Sequence, residues 1–142
     1  MRAYEATSTI KAEPAVIWAV LTDAPGYPRW DSGIERIEGR IGAGEKIKLY
    51  SEVSPGRAFP LRVTGFEPGR RLVWSGGMPL GLFRGVRTFT LTPAAHGVTE
   101  FRVREEFTGP LVPLIWRTMP ELGPSFVRFA EGLKARAESD QG

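Results

Sequence analysis

Cysteine is absent from this chain of 142 residues, and histidine occurs once, at His96. Without cysteine the chain can form neither disulfide bonds nor thiolate metal sites, and a single imidazole is too few for a typical transition-metal centre. No apolar run approaches the length of about 18 residues that a membrane-spanning helix needs. We therefore expect no disulfide framework, no metal site and no integral membrane segment.

Charge of one sign is not concentrated anywhere in the sequence. The chain has 19 basic and 16 acidic residues, which gives a formal net charge of +3. It contains no run of five or more basic residues, so binding to nucleic acid is not expected. The glycines of segment 39–44 do not follow the dinucleotide-binding fingerprint, because a strand pattern rather than a helix comes next. We expect no cofactor.

Length and composition favour one domain covering residues 1–142. The hydrophobic content of 42% is enough to bury a sizeable core. Residues 1–13 lack the apolar stretch of a signal peptide, which favours a cytoplasmic location.

The chain opens with a strand, a helix and a short aromatic segment. Residues 3–12 alternate loosely between apolar and polar side chains, which predicts the strand. The helix is expected to begin at Pro14, since the fixed φ of proline suits the first helical position. It is expected to end at Asp23, where Pro25 and Gly26 follow, and the aromatic segment 27–30 comes next.

Six more segments read as strands separated by short turns, which predicts an antiparallel meander. They are residues 34–42, 46–53, 59–67, 71–75, 82–92 and 98–108. Apolar side chains then recur at helical spacing over residues 112–137, which predicts an amphipathic helix. Pro120 and Pro124 lie inside it, so we expect a kink, or a break and a new start at Pro124.

These features resemble the START-like (SRPBCC) superfamily, in particular its polyketide cyclase/dehydrase branch. Segments 9–30, 82–93 and 102–114 carry the resemblance, which covers nearly the whole chain. It implies an α+β helix-grip fold, in which a curved antiparallel sheet of about six or seven strands wraps around a long C-terminal helix. One or two short helices follow the first strand. An apolar cavity between sheet and helix is also implied.

Two charged side chains fall on the apolar faces of the last two predicted strands. Arg87 shares its face with Phe89, and Glu105 shares its face with Phe107, so both charges are expected to point inward. An inward charge needs a partner, because an unpaired buried charge is costly. Two interpretations stay open, a polar anchor that orients a ligand or an ion pair that only stabilises the sheet. Relatives often carry histidine where Arg87 stands, and arginine cannot act as a general base.

The candidate ligand-binding residues are the apolar and charged side chains expected on the inner walls. They are Trp30, Leu49, Phe59, Trp74, Phe83, Arg87, Phe89, Phe101, Glu105, Met119 and Phe126. For any single aromatic residue, core packing is the simpler interpretation. As a set, these residues are expected to leave part of the interior open.

The resemblance also implies a function. It implies that a small hydrophobic or aromatic ligand, polyketide- or lipid-like, binds in the cavity. Some relatives catalyse cyclisation or dehydration, and for such chemistry Glu105 is the candidate base. One alternative is a non-enzymatic interaction or chaperone-regulator-like protein, which would expose an apolar patch. Another is a lipid or quinone carrier, whose wider mouth would lie near residues 79–82.

Overall fold

A computed structural model describes residues 2–118 and 121–141 of the chain. Its elements are β1 (Arg2–Ile10), α1 (Pro14–Thr22), a 3-10 segment (Ala24–Arg29), β2 (Ile34–Glu38), β3 (Lys46–Ser51), β4 (Ala58–Glu67), β5 (Arg71–Gly77), a short 3-10 turn (Pro79–Gly81), β6 (Arg84–Ala95), β7 (Val98–Thr108), α2 (Val112–Trp116) and α3 (Gly123–Gln141). Within these ranges, no helix combines the length and the apolar character that crossing a membrane requires.

The seven strands form one antiparallel sheet in the order β1-β7-β6-β5-β4-β3-β2. The first strand pairs with the last over its full length, from Arg2 opposite Phe107 to Ile10 opposite Thr99. The sheet is curled, and α3 packs against β1, β7 and α1. This confirms the expected α+β helix-grip arrangement, a curved sheet wrapped around a C-terminal helix.

Most strands lie where the sequence predicted them. Some of their ends differ from the prediction, because the backbone conformation of particular residues sets where a strand stops. The last strand covers Val98–Thr108, as expected. The second ends at Glu38 rather than at residue 42, and Gly39 then adopts a φ of 101°, which a residue with a side chain rarely does. The strand predicted for residues 82–92 begins at Arg84 and continues to Ala95. A bulge near its end accommodates a proline, which lacks the N–H of a regular ladder.

The predicted C-terminal helix is broken, as its prolines indicated. The first piece, α2, ends at Trp116, and α3 begins at Gly123, one residue before Pro124. Proline fits the first turn of a helix because its missing N–H would have had no partner within the helix. Met119 and Pro120, which the sequence assigned to the cavity and to the kink, lie outside the described residues.

Packing and hydrogen bonds hold α3 against the sheet. Its buried stripe includes Phe129, which is 4% exposed. The Ser8 hydroxyl on β1 donates to the Ala130 carbonyl at 3.2 Å. Farther along the helix, Lys134 Nζ donates to the Thr9 carbonyl at 2.8 Å. The buried stripe and the two hydrogen bonds fix the position of α3 across the first strand.

A close approach between α3 and the segment before β2 requires glycine at position 132. A Cβ atom placed on Gly132 would overlap the Asp31 carbonyl oxygen and would lie 2.8 Å from the carbonyl carbon. Backbone atoms cannot rotate away as the end of a flexible side chain can. The glycine therefore lets the helix touch the connecting chain directly.

We expect Gly132→Ala to lower the free energy of unfolding by about 1–3 kcal/mol. The sign of this change is informative, because alanine in a helix interior ordinarily raises the free energy of unfolding by about 0.5–1 kcal/mol relative to glycine. Urea unfolding of both proteins measures the difference. Gly123→Ala, at the first residue of the same helix, is the control, because its new Cβ would approach a side-chain atom, Glu121 Oε1 at 3.0 Å, and no backbone atom of another segment. A Gly132→Ala protein at least as stable as the parent would contradict the packing described here.

Candidate functional site

Arg87 and Glu105 meet on the concave face of the sheet. The register of β6 and β7 sets them directly opposite each other, and Arg87 Nε donates to Glu105 Oε1 at 2.8 Å. The structure thus brings together the two charges that the sequence placed on inward faces. Each supplies the partner that a charge on an apolar face needs.

Exposure changes sharply along this face. The side chains of Arg87 and Glu105 are 22% and 16% exposed. Two residues farther along the same strands, Phe89 and Val103 are 0% and 1% exposed. The space between sheet and helix is therefore closed around Phe89 and Val103 and reached by solvent at the ion pair, although Phe107 and Phe126 beside that pair are only 5% and 3% exposed. We call the second region the open end, and its residues are Tyr4, Phe83, Gly85, Arg87, Glu105, Phe107, Trp116 and Phe126.

Aromatic rings surround the ion pair at the open end. The Arg87 guanidinium carbon lies 4.7 Å from the centroid of the Phe126 ring. Tyr4, which lies opposite Glu105 on β1, stacks on Trp116 at 5.2 Å and on Phe126 at 5.6 Å between centroids. A cation over an aromatic face is stabilised by the ring quadrupole, more so when water is partly excluded. The pair thus lies in an aromatic environment.

The ion pair leaves part of its hydrogen-bonding capacity unused. Among the described residues, neither Glu105 Oε2 nor the two Nη atoms of Arg87 have a hydrogen-bond partner. A guanidinium has five N–H donors. Gly85 has no side chain, and the Glu105 carboxylate occupies the space that one would take, since a Cβ there would lie 2.7 Å from Oε2. The open end therefore presents donors and an acceptor side by side.

Aromatic side chains fill the closed end. Trp74 lies 4.7 Å from Phe89 between ring centroids, and Phe129 of α3 lies 5.5 Å from Phe89 and 6.2 Å from Phe101. Trp74, Phe89 and Phe101 are each at most 1% exposed. Their position is that of a packed core. The buried indole N–H groups of Trp74 and Trp30 have no hydrogen-bond partner among the described residues.

Tyr27 anchors this core without contributing acid–base chemistry. Its hydroxyl donates to the Leu21 carbonyl at 2.6 Å. Burial raises the pKa of Tyr27 well above its ordinary value, and the positive charge of Arg87 opposes only part of that shift. Tyr27 therefore stays protonated and serves as a hydrogen-bond donor. Trp30 packs against it at 5.3 Å between centroids.

The remaining candidates lie at the open end or farther across the sheet. Phe83 stacks on Phe107 at 5.7 Å between centroids. Leu49 and Phe59 lie opposite each other on β3 and β4. Met119 lies outside the described residues. That any of these side chains contacts a ligand stays a prediction.

Sequence reasoning missed Tyr4 as a residue of the open end. Tyr4 reaches the ion pair only because β1 pairs with β7, a contact between distant parts of the chain that no local pattern reports. The alternation of β1 places Tyr4 on the same face as buried Ala6 and Ile10, which is a usable signal once the pairing is known.

The other places where a metal ion or a ligand could bind do not involve the ion pair. In the part of the chain that the structure describes, no group of three or more acidic or histidine side chains could hold a metal ion. A surface pocket of about 380 Å³ lies between Asp31 and α3. A second of about 620 Å³ lies beside Lys46, Arg62 and Ser75. Neither pocket is lined by Arg87 or Glu105.

The sequence matches one protein family over almost all of its length. The family described as polyketide cyclase/dehydrase and lipid transport is matched by residues 1–138. Among curated proteins, none matches the sequence significantly.

Solved structures show the same fold at low sequence identity. The ZhuI aromatase/cyclase from Streptomyces sp. R1128 is 17% identical, with a TM-score of 0.74 over 96% of this chain and 93% of that one. A START superfamily protein from Mycobacterium smegmatis is 18% identical, with a TM-score of 0.69 over 96% and 97%. DynU16, from the dynemicin biosynthetic locus, is 19% identical, with a TM-score of 0.71 over 98% of this chain and 48% of that one. At these identities the likeness establishes the helix-grip fold alone.

A double-mutant cycle tests the energetic coupling of the ion pair. We expect Arg87→Met and Glu105→Gln, singly and together, to give a coupling energy of about 1–3 kcal/mol in urea unfolding, because the pair is half-buried. Arg102→Met with Glu5→Gln is the matched control, since that pair bridges β7 and β1 but is 52% and 39% exposed. We expect a smaller coupling there. Equal coupling energies in the two cycles would show that the half-buried position of Arg87 and Glu105 does not strengthen their interaction.

Proposed function

The chain belongs to the polyketide cyclase/dehydrase and lipid-transport family, and from that premise we propose that it binds a small hydrophobic or aromatic ligand, polyketide- or lipid-like, at the open end. In this proposal the aromatic rings supply most of the affinity, because apolar surface is removed from water. Arg87 and Glu105 orient the ligand through its oxygen atoms.

The observation that carries the proposal is the half-buried ion pair with unused donors and an unused acceptor. The Arg87 Nη atoms suit a ligand carbonyl or carboxylate, and Glu105 Oε2 suits a hydroxyl. Arg87 and Glu105 are directly paired across β6 and β7, so a single ligand can reach both side chains together. Apolar walls with a few convergent polar groups are the usual composition of a small-molecule site.

A purely structural ion pair is the competing explanation, and the rest of the sheet argues against it. The strand β7 already carries ion pairs that are more exposed to solvent, such as Arg102 with Glu5 of β1 at 2.6 Å. A pair on the concave face costs more, because both charges lose part of their hydration. Strand pairing alone would not need this more expensive position. A ligand that uses the charges gives a reason for it.

Catalysis at this site would depend on Glu105. Its unpartnered Oε2 is the atom that can accept a proton from a bound ligand, whereas Arg87 keeps its charge at every working pH. Cyclisation and dehydration both begin with removal of a proton beside a carbonyl, and a positioned base contributes typically about 10²–10⁴-fold to such a step. The Arg87 guanidinium would stabilise the negative charge that develops on the carbonyl oxygen.

A lipid or quinone carrier is a second candidate function, and exposed apolar side chains favour it. The exposed large apolar residues of the described ranges are Val53, Met78, Leu80, Leu82, Leu114 and Val127. We call this set the apolar rim. It includes the 79–82 segment, where the sequence placed the mouth of a carrier. A carrier differs from the leading proposal in the size of the ligand and in the absence of turnover.

The first test is a thermal-shift screen with aromatic polyketides, flavonoids, fatty acids, sterols and quinone head-group analogues. A ligand at about 100 times its Kd should add about 2.7 kcal/mol to the free energy of unfolding, which is a clear shift. For a hit that bears a carbonyl or carboxylate, we expect Arg87→Met to weaken binding by about 10- to 100-fold, since a charge-assisted hydrogen bond is lost. Each variant is compared with its own ligand-free melting temperature.

Arg102→Met is the control for this screen, because Arg102 lies on β7 and pairs with Glu5 outside the open end. It should leave ligand affinity unchanged. Equal losses in Arg87→Met and Arg102→Met would contradict the proposed orientation. Silence across the whole panel, with ligand-free protein by native mass spectrometry, would contradict ligand binding and favour the interaction-protein alternative.

Glu105→Gln separates catalysis from binding for any ligand that turns over. The amide keeps the size of the side chain but cannot take up a proton, so we expect kcat to fall by at least about 100-fold with KM changed much less. Product formation by chromatography measures both constants. Glu106→Gln, on the next residue and the opposite strand face, is the control. Undiminished turnover in Glu105→Gln would remove Glu105 from the role of base.

A further inference from the structure

The apolar rim gathers at a single end of the molecule. Val53 follows the end of β3, Met78–Leu82 connects β5 to β6, Leu114 belongs to α2, and Val127 lies near the start of α3. In this antiparallel sheet, β3, β5 and β7 all end at that edge. The exposed large apolar side chains of the described residues thus converge on the edge next to the open end. Such clustering on a water-soluble surface marks an interaction site.

We propose that the apolar rim docks on the surface of an anionic phospholipid membrane, with Leu80 and Leu114 entering the interface. This inference concerns a partner of the protein and does not require that a ligand bind at the open end. The apolar side chains would leave water for the boundary between headgroups and acyl chains, as in other interfacial proteins.

The central segment of the rim is held in place by backbone hydrogen bonds. The Met78 N–H donates to the Phe83 carbonyl at 2.7 Å, and the Leu111 N–H donates to the Leu82 carbonyl at 3.0 Å. These bonds tie the β5–β6 connection to itself and to the entry of α2. Leu80 and Leu114 therefore project from a built surface that joins two elements.

Leu80 carries a conformational cost that the isolated protein does not offset. Its φ is 62°, in the left-handed region where a residue with a side chain loses roughly 1–2 kcal/mol. Its side chain is 95% exposed, so it gains no packing in return. A strained backbone that displays an apolar side chain to water is expected where that side chain has a partner.

The charges around the rim fit an anionic surface. Arg2, Arg57, Arg84 and Arg117 lie at the same edge, are exposed, and form no ion pair with any described residue. The carboxylates of Asp31 and Glu52 at this edge are both occupied by Arg128, at 2.6 and 3.1 Å. Glu35 at the start of β2 and Glu121 just before α3 are exposed carboxylates at this edge that form no ion pair with a described residue. The four free arginines therefore leave a net positive charge for lipid phosphates, and each arginine is worth a substantial part of the binding to an anionic leaflet. Arg2 also lies 5.4 Å from the centroid of Trp116, an aromatic residue type enriched at such interfaces.

A membrane fits the shape of the rim better than a protein partner or a second copy of the chain. The apolar side chains come from four separate parts of the chain and alternate with free arginines. A stable protein interface needs a complementary face of about 800 Å² on each partner. Lipid headgroups and acyl chains adapt to any contour, so a few projecting side chains among cations suffice.

Co-sedimentation with lipid vesicles tests the proposal. The full chain should bind vesicles of phosphatidylcholine mixed with phosphatidylglycerol, and bind vesicles of phosphatidylcholine alone much more weakly. Leu80→Asn should lower the partition coefficient by about tenfold. Asparagine tolerates the left-handed conformation, so this variant should fold at least as stably as the parent, which urea unfolding checks.

A matched pair of charge variants separates the rim from general electrostatics. Arg84→Gln with Arg117→Gln should weaken binding by about 30-fold, since each arginine near an anionic surface contributes about a factor of five. Arg40→Gln with Arg70→Gln removes the same charge at the opposite edge, in the turns after β2 and β4, and should leave binding nearly unchanged. No binding to anionic vesicles, or equal losses in both double variants, would overturn the proposal. A dimer in light scattering that dissociates in Leu80→Asn would also overturn it and assign the rim to a second copy.

Discussion

The register of the β6–β7 hairpin is the constraint on which the candidate site depends. It sets Arg87 against Glu105, Phe89 against Val103 and Gly85 against Phe107. Because side chains alternate between faces, a shift of one residue in either strand would turn the charges outward and bring polar residues into the core. The ion pair and the hydrophobic core therefore favour the same alignment, because a one-residue shift would disrupt both.

The same alignment divides the interior into two regions with different tasks. Toward the β6–β7 turn, packed rings such as Phe89 and Phe129 supply the burial that stabilises the fold. Toward the other edge, the charges of Arg87 and Glu105 lie among stacked rings such as Phe107 and Trp116, and the Glu105 carboxylate lies against the side-chain-free Gly85. The break between α2 and α3 lies at the open edge, where it interrupts no packing of the closed core.

The sequence predicted the features that follow from local pattern. Alternation placed Arg87 and Glu105 inward, and two prolines located the break in the terminal helix. It could not predict the contacts that depend on pairing between distant segments, such as Tyr4 of β1 beside Glu105 of β7. For the same reason it could not tell packed rings such as Trp74 from rings at the open end. Periodicity assigns a side chain to a face, while its exposure depends on where α3 crosses that face.

Arginine at position 87 restricts the chemistry that the open end can support. A residue that holds its proton at every working pH can attract and orient an oxygen, but it cannot pass a proton on. Of the two charged groups only the Glu105 carboxylate can transfer a proton, so in the proposed function it would take a proton from carbon and return it to a leaving hydroxyl. A dehydration on one face of the ligand permits that sequence, because both positions can lie within reach of the same two oxygens. Arg87 and Glu105 alone do not supply separate acid and base groups, so under the proposed function the activities to distinguish are binding without turnover and an elimination in which Glu105 is the base.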